Sequence, residues 1–142
     1  MLGRWSSLSG PIIICHKLGC RYGNKYLLQD INLAIYPGEH WLIFGLNGSG
    51  KTTLVTILAG YGYFSEGELQ VFDSPYTEEN ILAKRQRIGL VSGSFFDRYY
   101  RDEAVQDIIL SGLTGTLSCD MTITDRQRQK AIALLDALGI GD

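Results

Sequence analysis

The sequence lacks an apolar run that approaches the ~20 residues of a membrane-spanning helix. Residues 1–10 also lack the apolar stretch of a signal peptide, so we expect a loose N-terminal leader there. Cysteine is scarce, because the 142 residues contain only three, and an odd number without a secretion signal indicates a reducing compartment. The formal net charge of −2 lacks the basic excess of proteins that bind polyanions, so we expect no nucleic-acid partner.

Cysteine and histidine, the usual ligands of zinc, total three and two residues, and the spacing of those that lie close together is unusual. Cys15, His16 and Cys20 lie close together, but the spacing matches no common zinc site and no second pair of ligands follows. We therefore interpret Cys15 as a small apolar strand residue. The composition, 45% hydrophobic and 20% charged, is that of an ordinary globular domain with a core.

The most informative stretch is residues 44–53. Gly45, four free positions and then Gly50, Lys51 and Thr52 form the P-loop pattern G-x-x-x-x-G-K-[ST]. In this motif small residues let backbone N–H groups approach phosphates, and the N-terminus of the following helix adds positive partial charge. Lys51 would supply a full charge at the β- and γ-phosphates, and the hydroxyl of Thr52 can ligate Mg²⁺. The alternative is a glycine-rich turn with a chance lysine.

The flanking segments argue against that alternative, because they predict the elements that a P-loop needs. The apolar run at 41–44 favours a buried strand over 40–44, and a helix should follow the loop and end at Gly60. Other predicted strands lie at 12–15, at 27–28 together with 31–35, at 68–72 and at 88–91. Predicted helices begin at Thr77, run over 103–110, and extend from Thr124 or Asp125 to Gly139 with one apolar face formed by Ala131, Leu134, Leu135 and Leu138.

Several of these motifs occur together in the spacing of a known family. Residues 28–33, the Pro37-Gly38-Glu39 turn and residues 45–54 resemble the ATP-binding subunits of ABC transporters, and Gly60, residues 67–69 and residues 88–91 continue the resemblance in order. The resemblance covers roughly residues 12–142. Within the family, residues 88–112 are most similar to the molybdate-related and similar soluble-type ATPases.

The resemblance implies an α/β fold, the P-loop NTPase fold of an ABC-type ATPase domain, truncated after the start of its helical subdomain. Residues 11–91 would form the N-terminal part of the ATPase core with an antiparallel β-region, and residues 92–142 the glutamine-loop region and the start of the subdomain. The implied cofactors are ATP and Mg²⁺. The implied partners are a second ATPase subunit and a membrane permease, contacted through the loop 95–101, although that loop could equally pack its own aromatic side chains. The implied location is cytoplasmic, peripheral to the inner face of the cell membrane.

The resemblance also assigns site residues. Tyr22 precedes Lys51 by 29 positions (51 − 22), where the family has an aromatic residue that stacks on adenine. A tyrosine in a polar turn has little core to fill, which suits that role, and the alternative is a tyrosine that covers the sheet edge. The phosphates would be held by Gly45, Asn47, Gly48, Ser49, Gly50 and Lys51, with Thr52 on Mg²⁺ and Thr53 beside it.

Two departures from the family limit what the sequence predicts. Ser92, Gly93 and Ser94 stand where the family has a glutamine that contacts Mg²⁺, and Ser92 or Ser94 could reach the metal only through water. The family's signature motif, its Walker B aspartate and catalytic glutamate, and its switch histidine would all lie beyond residue 142, so we name no catalytic residue and expect these residues alone to be inactive. The rival interpretations are another P-loop enzyme, a nucleotide-binding module without hydrolysis, and a soluble ABC ATPase without a permease.

Overall fold

The protein is represented by a computed structural model that describes residues 10–93, 95, 99, 104–117 and 123–140. The chain divides into two compact units, the first ending at Lys84 and the second beginning at Arg85. Within the described ranges, no helix is both long enough and apolar enough to cross a membrane. The elements in chain order are β1 (Ile13–Tyr22), β2 (Lys25–Ile35), α1 (Lys51–Leu58), β3 (Glu66–Val71), β4 (Ser74–Pro75), α2 (Ile81–Arg85), α3 (Val105–Ser111) and α4 (Asp125–Leu138).

The first unit is built on an antiparallel sheet in the order β2-β1-β3-β4. The first two strands form a hairpin in which Tyr22 pairs with Lys25 and Arg21 pairs with Tyr26. The predicted strands at 12–15 and 27–35 are confirmed, and both are longer than the pattern indicated. Cys15 is buried in β1, as its interpretation as an apolar strand residue requires, and burial raises the pKa of its thiol to about 11.

Helix α1 follows the P-loop motif and ends as predicted. Its three buried side chains are Leu54, Ile57 and Leu58. Gly60 lies past the last turn with φ +84°, and the N–H groups of Gly60 and Tyr61 donate to the carbonyls of Ile57 (2.9 Å) and Thr56 (2.8 Å). This is the Schellman arrangement, in which glycine takes the left-handed conformation and the last carbonyls find donors.

The β3–β4 turn is held by a buried lysine. Phe72 and Asp73 connect the strands in the left-handed conformation, with φ 53° and 72°. The ammonium of Lys84, which is 5% exposed, donates to the carbonyls of Val71 and Ser74 at 2.6 Å each and lies 5.2 Å from the centre of the Tyr76 ring. These two charge-assisted hydrogen bonds stabilise the turn because one acceptor lies on each side of it.

The prediction that Thr77 caps a helix is wrong, since α2 begins four residues later at Ile81. The N–H of Thr77 donates to Asn80 Oδ1 at 3.1 Å, and Asn80 Nδ2 donates to the carbonyl of Pro75 at 2.9 Å. The carbonyl of Thr77 also accepts from the N–H groups of Asn80 at 3.2 Å and Ile81 at 3.1 Å, so residues 77–80 form a turn that leads directly into α2.

Two predicted buried strands, 40–44 and 88–91, are also wrong, because neither segment is a strand. Their side chains face water to a large extent, with Leu42 75%, Phe44 84% and Val91 96% exposed. A strand needs a neighbour for its N–H and C=O groups, and within the described ranges no segment pairs with either of them.

The second unit contains the helices α3 and α4. The helix predicted over 103–110 is found at Val105–Ser111, while Glu103 lies outside the described residues. Helix α4 begins with a capping box between Thr124 and Gln127 and ends at Gly139, which has φ 70°, as predicted. Of its predicted apolar face, Ala131 and Leu135 are buried, but Leu134 and Leu138 are exposed.

Candidate nucleotide-binding site

The segment that enters the glycine-rich loop is anchored at a turn. The N–H of Glu39 donates to the carbonyl of Tyr36 at 3.2 Å, and Gly38 has φ +83°, which favours glycine at this turn position. The carboxylate of Glu39 accepts 2.9 Å hydrogen bonds from the backbone N–H of Tyr36 and from Trp41 Nε1. These two hydrogen bonds lower the pKa of Glu39 below its ordinary value of 4.5. The chain is therefore tied down four residues before Gly45.

The loop itself packs against β2. Gly50 has φ +89°, and a Cβ atom added there would lie 2.6 Å from the carbonyl oxygen of Leu27 and 2.7 Å from Cδ2 of Leu28. Only glycine fits, both because of this contact and because of the left-handed backbone. Gly48 is also left-handed, with φ +79°, but a Cβ atom there would meet nothing within 4 Å, so its backbone is open to a ligand. This support from β2 is long-range, and no local motif in the sequence could have identified Leu27 and Leu28 as part of the site.

Lys51 folds back over the loop that precedes it. Its ammonium nitrogen lies 2.8 Å from the carbonyl of Gly45, 2.7 Å from that of Leu46 and 3.5 Å from Ser49 Oγ. The loop is closed by a hydrogen bond of 3.1 Å from the N–H of Ser49 to the carbonyl of Leu46. The positive charge is thus held at the loop, where the sequence predicted the terminal phosphates.

The N-terminus of α1 adds backbone donors at the same place. The first intrahelical hydrogen bond runs from the N–H of Leu54 to the carbonyl of Gly50 at 2.8 Å. The N–H groups that precede Leu54 in the first turn are therefore outside the hydrogen-bond pattern of the helix. Such groups, together with the helix dipole, favour an anion. Thr52 is exposed in this turn, and Thr56 Oγ1 donates to the carbonyls of Thr52 and Thr53, at 2.9 and 3.0 Å.

Tyr22 lies at the end of β1, opposite Lys25 across the hairpin. Strand β2 then leads from Lys25 to Leu27, whose carbonyl is against Gly50, so the tyrosine and the loop lie toward the same end of β2. The ring is 83% exposed. It therefore covers little of the sheet edge, which argues against a purely structural role and favours a ring available for stacking.

The other predicted site residues lie in the second unit. Ser92 is partly buried there, whereas Ser94 lies outside the described residues. In the segment 95–101, Phe95 is buried and its ring centre lies 4.7 Å from that of Tyr99, so these two residues pack on each other, and the remainder of the segment lies outside the described residues.

The chemistry of these groups suits a polyanion that ends in phosphate and carries a flat ring. Backbone N–H groups and the ammonium of Lys51 suit phosphate oxygens, and the exposed ring of Tyr22 suits a base. Within the described ranges no three His, Cys, Asp or Glu side chains are grouped so that they could hold a metal ion.

Comparisons with known proteins extend this description. The family model described as ABC transporter matches residues 28–142. YlmA of Bacillus subtilis, an uncharacterized ABC transporter ATP-binding protein, is 33% identical over 90% of this chain, and ModF of Escherichia coli, an ABC transporter ATP-binding protein, is 32% identical over 92%. The chain spans 49% of the length of YlmA and 27% of ModF. The solved structure of cbiO1 from Clostridium perfringens, described as part of the ABC transporter complex cbiONQ, has a TM-score of 0.60 and 25% identity, covering 92% of this chain and 51% of that one.

Proposed function

The chain belongs to the ABC transporter family, and from this membership we propose that it forms the phosphate- and base-binding part of an ATP-binding subunit that couples ATP binding and hydrolysis to transport. The predicted fold class, an ABC-type P-loop ATPase domain, is confirmed by the solved structures that the chain resembles. The observation that carries the proposal is the position of Lys51, whose ammonium lies within 2.8 Å of two loop carbonyls at the start of α1.

In this proposal each described residue has one task. The backbone from Gly45 to Gly50 and the ammonium of Lys51 hold the phosphates, and the ring of Tyr22 stacks on adenine. The hydroxyl of Thr52 would hold Mg²⁺, and the metal, when bound, neutralises negative charge that develops on the phosphates. The exposure of Tyr22 and Thr52 supports both roles, since each group is accessible to a ligand.

ATPases of this family generally hydrolyse ATP. The 142 residues supply positioning and positive charge, which is most of what phosphoryl transfer asks of a protein. They do not include the family's signature motif, Walker B residues or switch histidine, so we infer that these residues by themselves bind nucleotide without turnover. The same proposal includes association with a second ATPase subunit, docking to a permease through 95–101 and a cytoplasmic position at the inner face of the membrane. The resemblance to a protein described as part of the cbiONQ complex supports it.

The test compares ATP with AMP by calorimetry. Lys51→Ala should weaken ATP binding by roughly 10- to 100-fold, the value of a hydrogen bond to a charged group, and should weaken AMP binding much less because AMP lacks the β- and γ-phosphates. Lys130→Ala, which removes an exposed cation from α4, is the matched control and should change neither affinity. Equal losses for the two nucleotides in folded Lys51→Ala protein would show that Lys51 does not bind the terminal phosphates.

A further inference from the structure

Lys25 is the residue directly opposite Tyr22 in the β1–β2 hairpin. Directly paired residues of an antiparallel hairpin point to the same face, with Cβ atoms about 5 Å apart. The pairing register shifts at Leu27, which interrupts the alternation of side chains, so Lys25 is related to the loop by its distance along β2. Lys25 is therefore beside the proposed adenine platform, about 7 Å along the strand from the residue whose carbonyl touches Gly50 of the loop.

The charges around the hairpin leave Lys25 available to a ligand. Lys51 lies at the glycine-rich loop, where the proposed function already assigns it to the terminal phosphates, and Lys84 is buried in the β3–β4 turn. Arg21 stacks over the ring of Tyr26 at 4.8 Å, and the Tyr26 hydroxyl donates to Glu66 at 3.0 Å. Arg21 and Tyr26 lie on the opposite face from Tyr22 and Lys25, because they are the next residues along the two strands.

Lys25 itself is exposed. Since Glu66 bonds to Tyr26 on the opposite face, that carboxylate does not neutralise the ammonium. A flexible four-carbon stem gives this charge a wide reach.

We propose that Lys25 is a second nucleotide-binding cation, which donates to the α-phosphate of a nucleotide whose base stacks on Tyr22 and whose terminal phosphates bind Lys51. The inference rests on the proposed function, because it uses both ends of that binding mode. A nucleotide bound in this way places its α-phosphate between the base and the terminal phosphates, and Lys25 stands on the strand that joins the two protein sites. Lys25 thereby makes the site bind phosphorylated nucleosides more tightly than nucleosides without phosphate.

The experiment measures the affinities of ATP, AMP and adenosine for the purified protein and for Lys25→Ala. We expect about a three- to tenfold loss for ATP and AMP, between the value of an exposed ion pair and that of a hydrogen bond to a charged group. Adenosine has no phosphate and should bind equally to both proteins. Lys25→Arg should restore most of the loss, and the difference between wild type and Lys25→Ala should shrink at high salt, because exposed charges are screened.

The matched control is Arg21→Ala, which removes a cation next to Tyr22 on the opposite face and should leave the affinities within about twofold of wild type. An equal loss of adenosine affinity in Lys25→Ala would mean that the variant disturbs the stacking platform, and unchanged affinities for all three ligands would mean that Lys25 makes no contact. Either result would overturn the proposal. Failure of the proposed function itself would look different, since ATP would then not bind to the wild type or would bind equally to Lys51→Ala.

Discussion

The buried ammonium of Lys84 gives a prediction about stability. Replacement by methionine keeps a long stem but removes two charge-assisted hydrogen bonds, each 2.6 Å long, to the carbonyls of Val71 and Ser74. Bonds to charged groups contribute roughly 1.5–3 kcal/mol each, and contact with the Tyr76 ring adds about 1 kcal/mol. The wild-type protein loses hydration of the ammonium when it folds, and burying a cation costs several kcal/mol. Lys84→Met avoids this cost, which offsets part of the lost hydrogen bonding.

The balance predicts that Lys84→Met lowers the free energy of unfolding by about 2–4 kcal/mol, because removing one partner leaves buried carbonyls without their donor. Urea unfolding followed by tryptophan fluorescence measures this loss through the shift of the midpoint at constant slope. Lys130→Met on the exposed surface of α4 is the control, and it should stay within about 0.5 kcal/mol of wild type.

A second measurement separates stability from binding. Folded Lys84→Met protein should bind ATP with the affinity of the wild type, because the ammonium faces the β3–β4 turn and not the glycine-rich loop. A loss of stability below about 1 kcal/mol would refute the reasoning, since two short bonds to a buried cation could not then be contributing as the structure indicates.

Two further predictions concern the site and its approach. Tyr22→Ala should cost about 1–3 kcal/mol of ATP affinity and Tyr22→Trp should retain most of it, whereas an equal fall in the binding of inorganic triphosphate would show that the residue is structural. The pKa of Glu39 lies below 4.5 in the folded protein. The ionised carboxylate of Glu39 therefore contributes to stability above its ordinary pKa, and this contribution is lost as the pH falls through the pKa of the folded protein. The indole N–H signal of Trp41 in NMR spectra should therefore titrate with a midpoint below 4.5 and should lose this step in Glu39→Gln; a midpoint at or above 4.5 would contradict the hydrogen bond.

Local signals in the sequence predicted the elements whose chemistry is local. The end of α1 at Gly60 and both ends of α4 followed from capping residues that act within one turn. The P-loop motif placed Lys51 at its loop for the same reason. The helix expected from Thr77 begins at Ile81 instead, after a turn in which Asn80 Oδ1 accepts from the N–H of Thr77 and Asn80 Nδ2 donates to the carbonyl of Pro75.

Contacts between distant residues could not be obtained in this way. The pattern at 40–44 and 88–91 indicates apolar side chains that suit burial, but it carries no information about which segment would cover them or supply their hydrogen bonds. The same limit applies to Gly50, whose conformation the motif predicts but whose contact with Leu27 depends on the position of β2. The burial of Lys84 likewise follows from the β3–β4 turn that it faces, whose carbonyls belong to residues 10 and 13 positions earlier in the chain.

The glycine-rich loop keeps its shape although the segment before it is not a strand, and the reason lies in three independent supports. Glu39 binds both Tyr36 and Trp41 ahead of the loop, Lys51 bonds to its carbonyls from behind, and Gly50 rests on β2. None of these hydrogen bonds and contacts requires another strand to pair with residues 40–44. The shape of the loop therefore depends on these three supports and not on a strand at 40–44, whereas the apolar side chains at 41–44 contribute a surface that the described residues leave exposed.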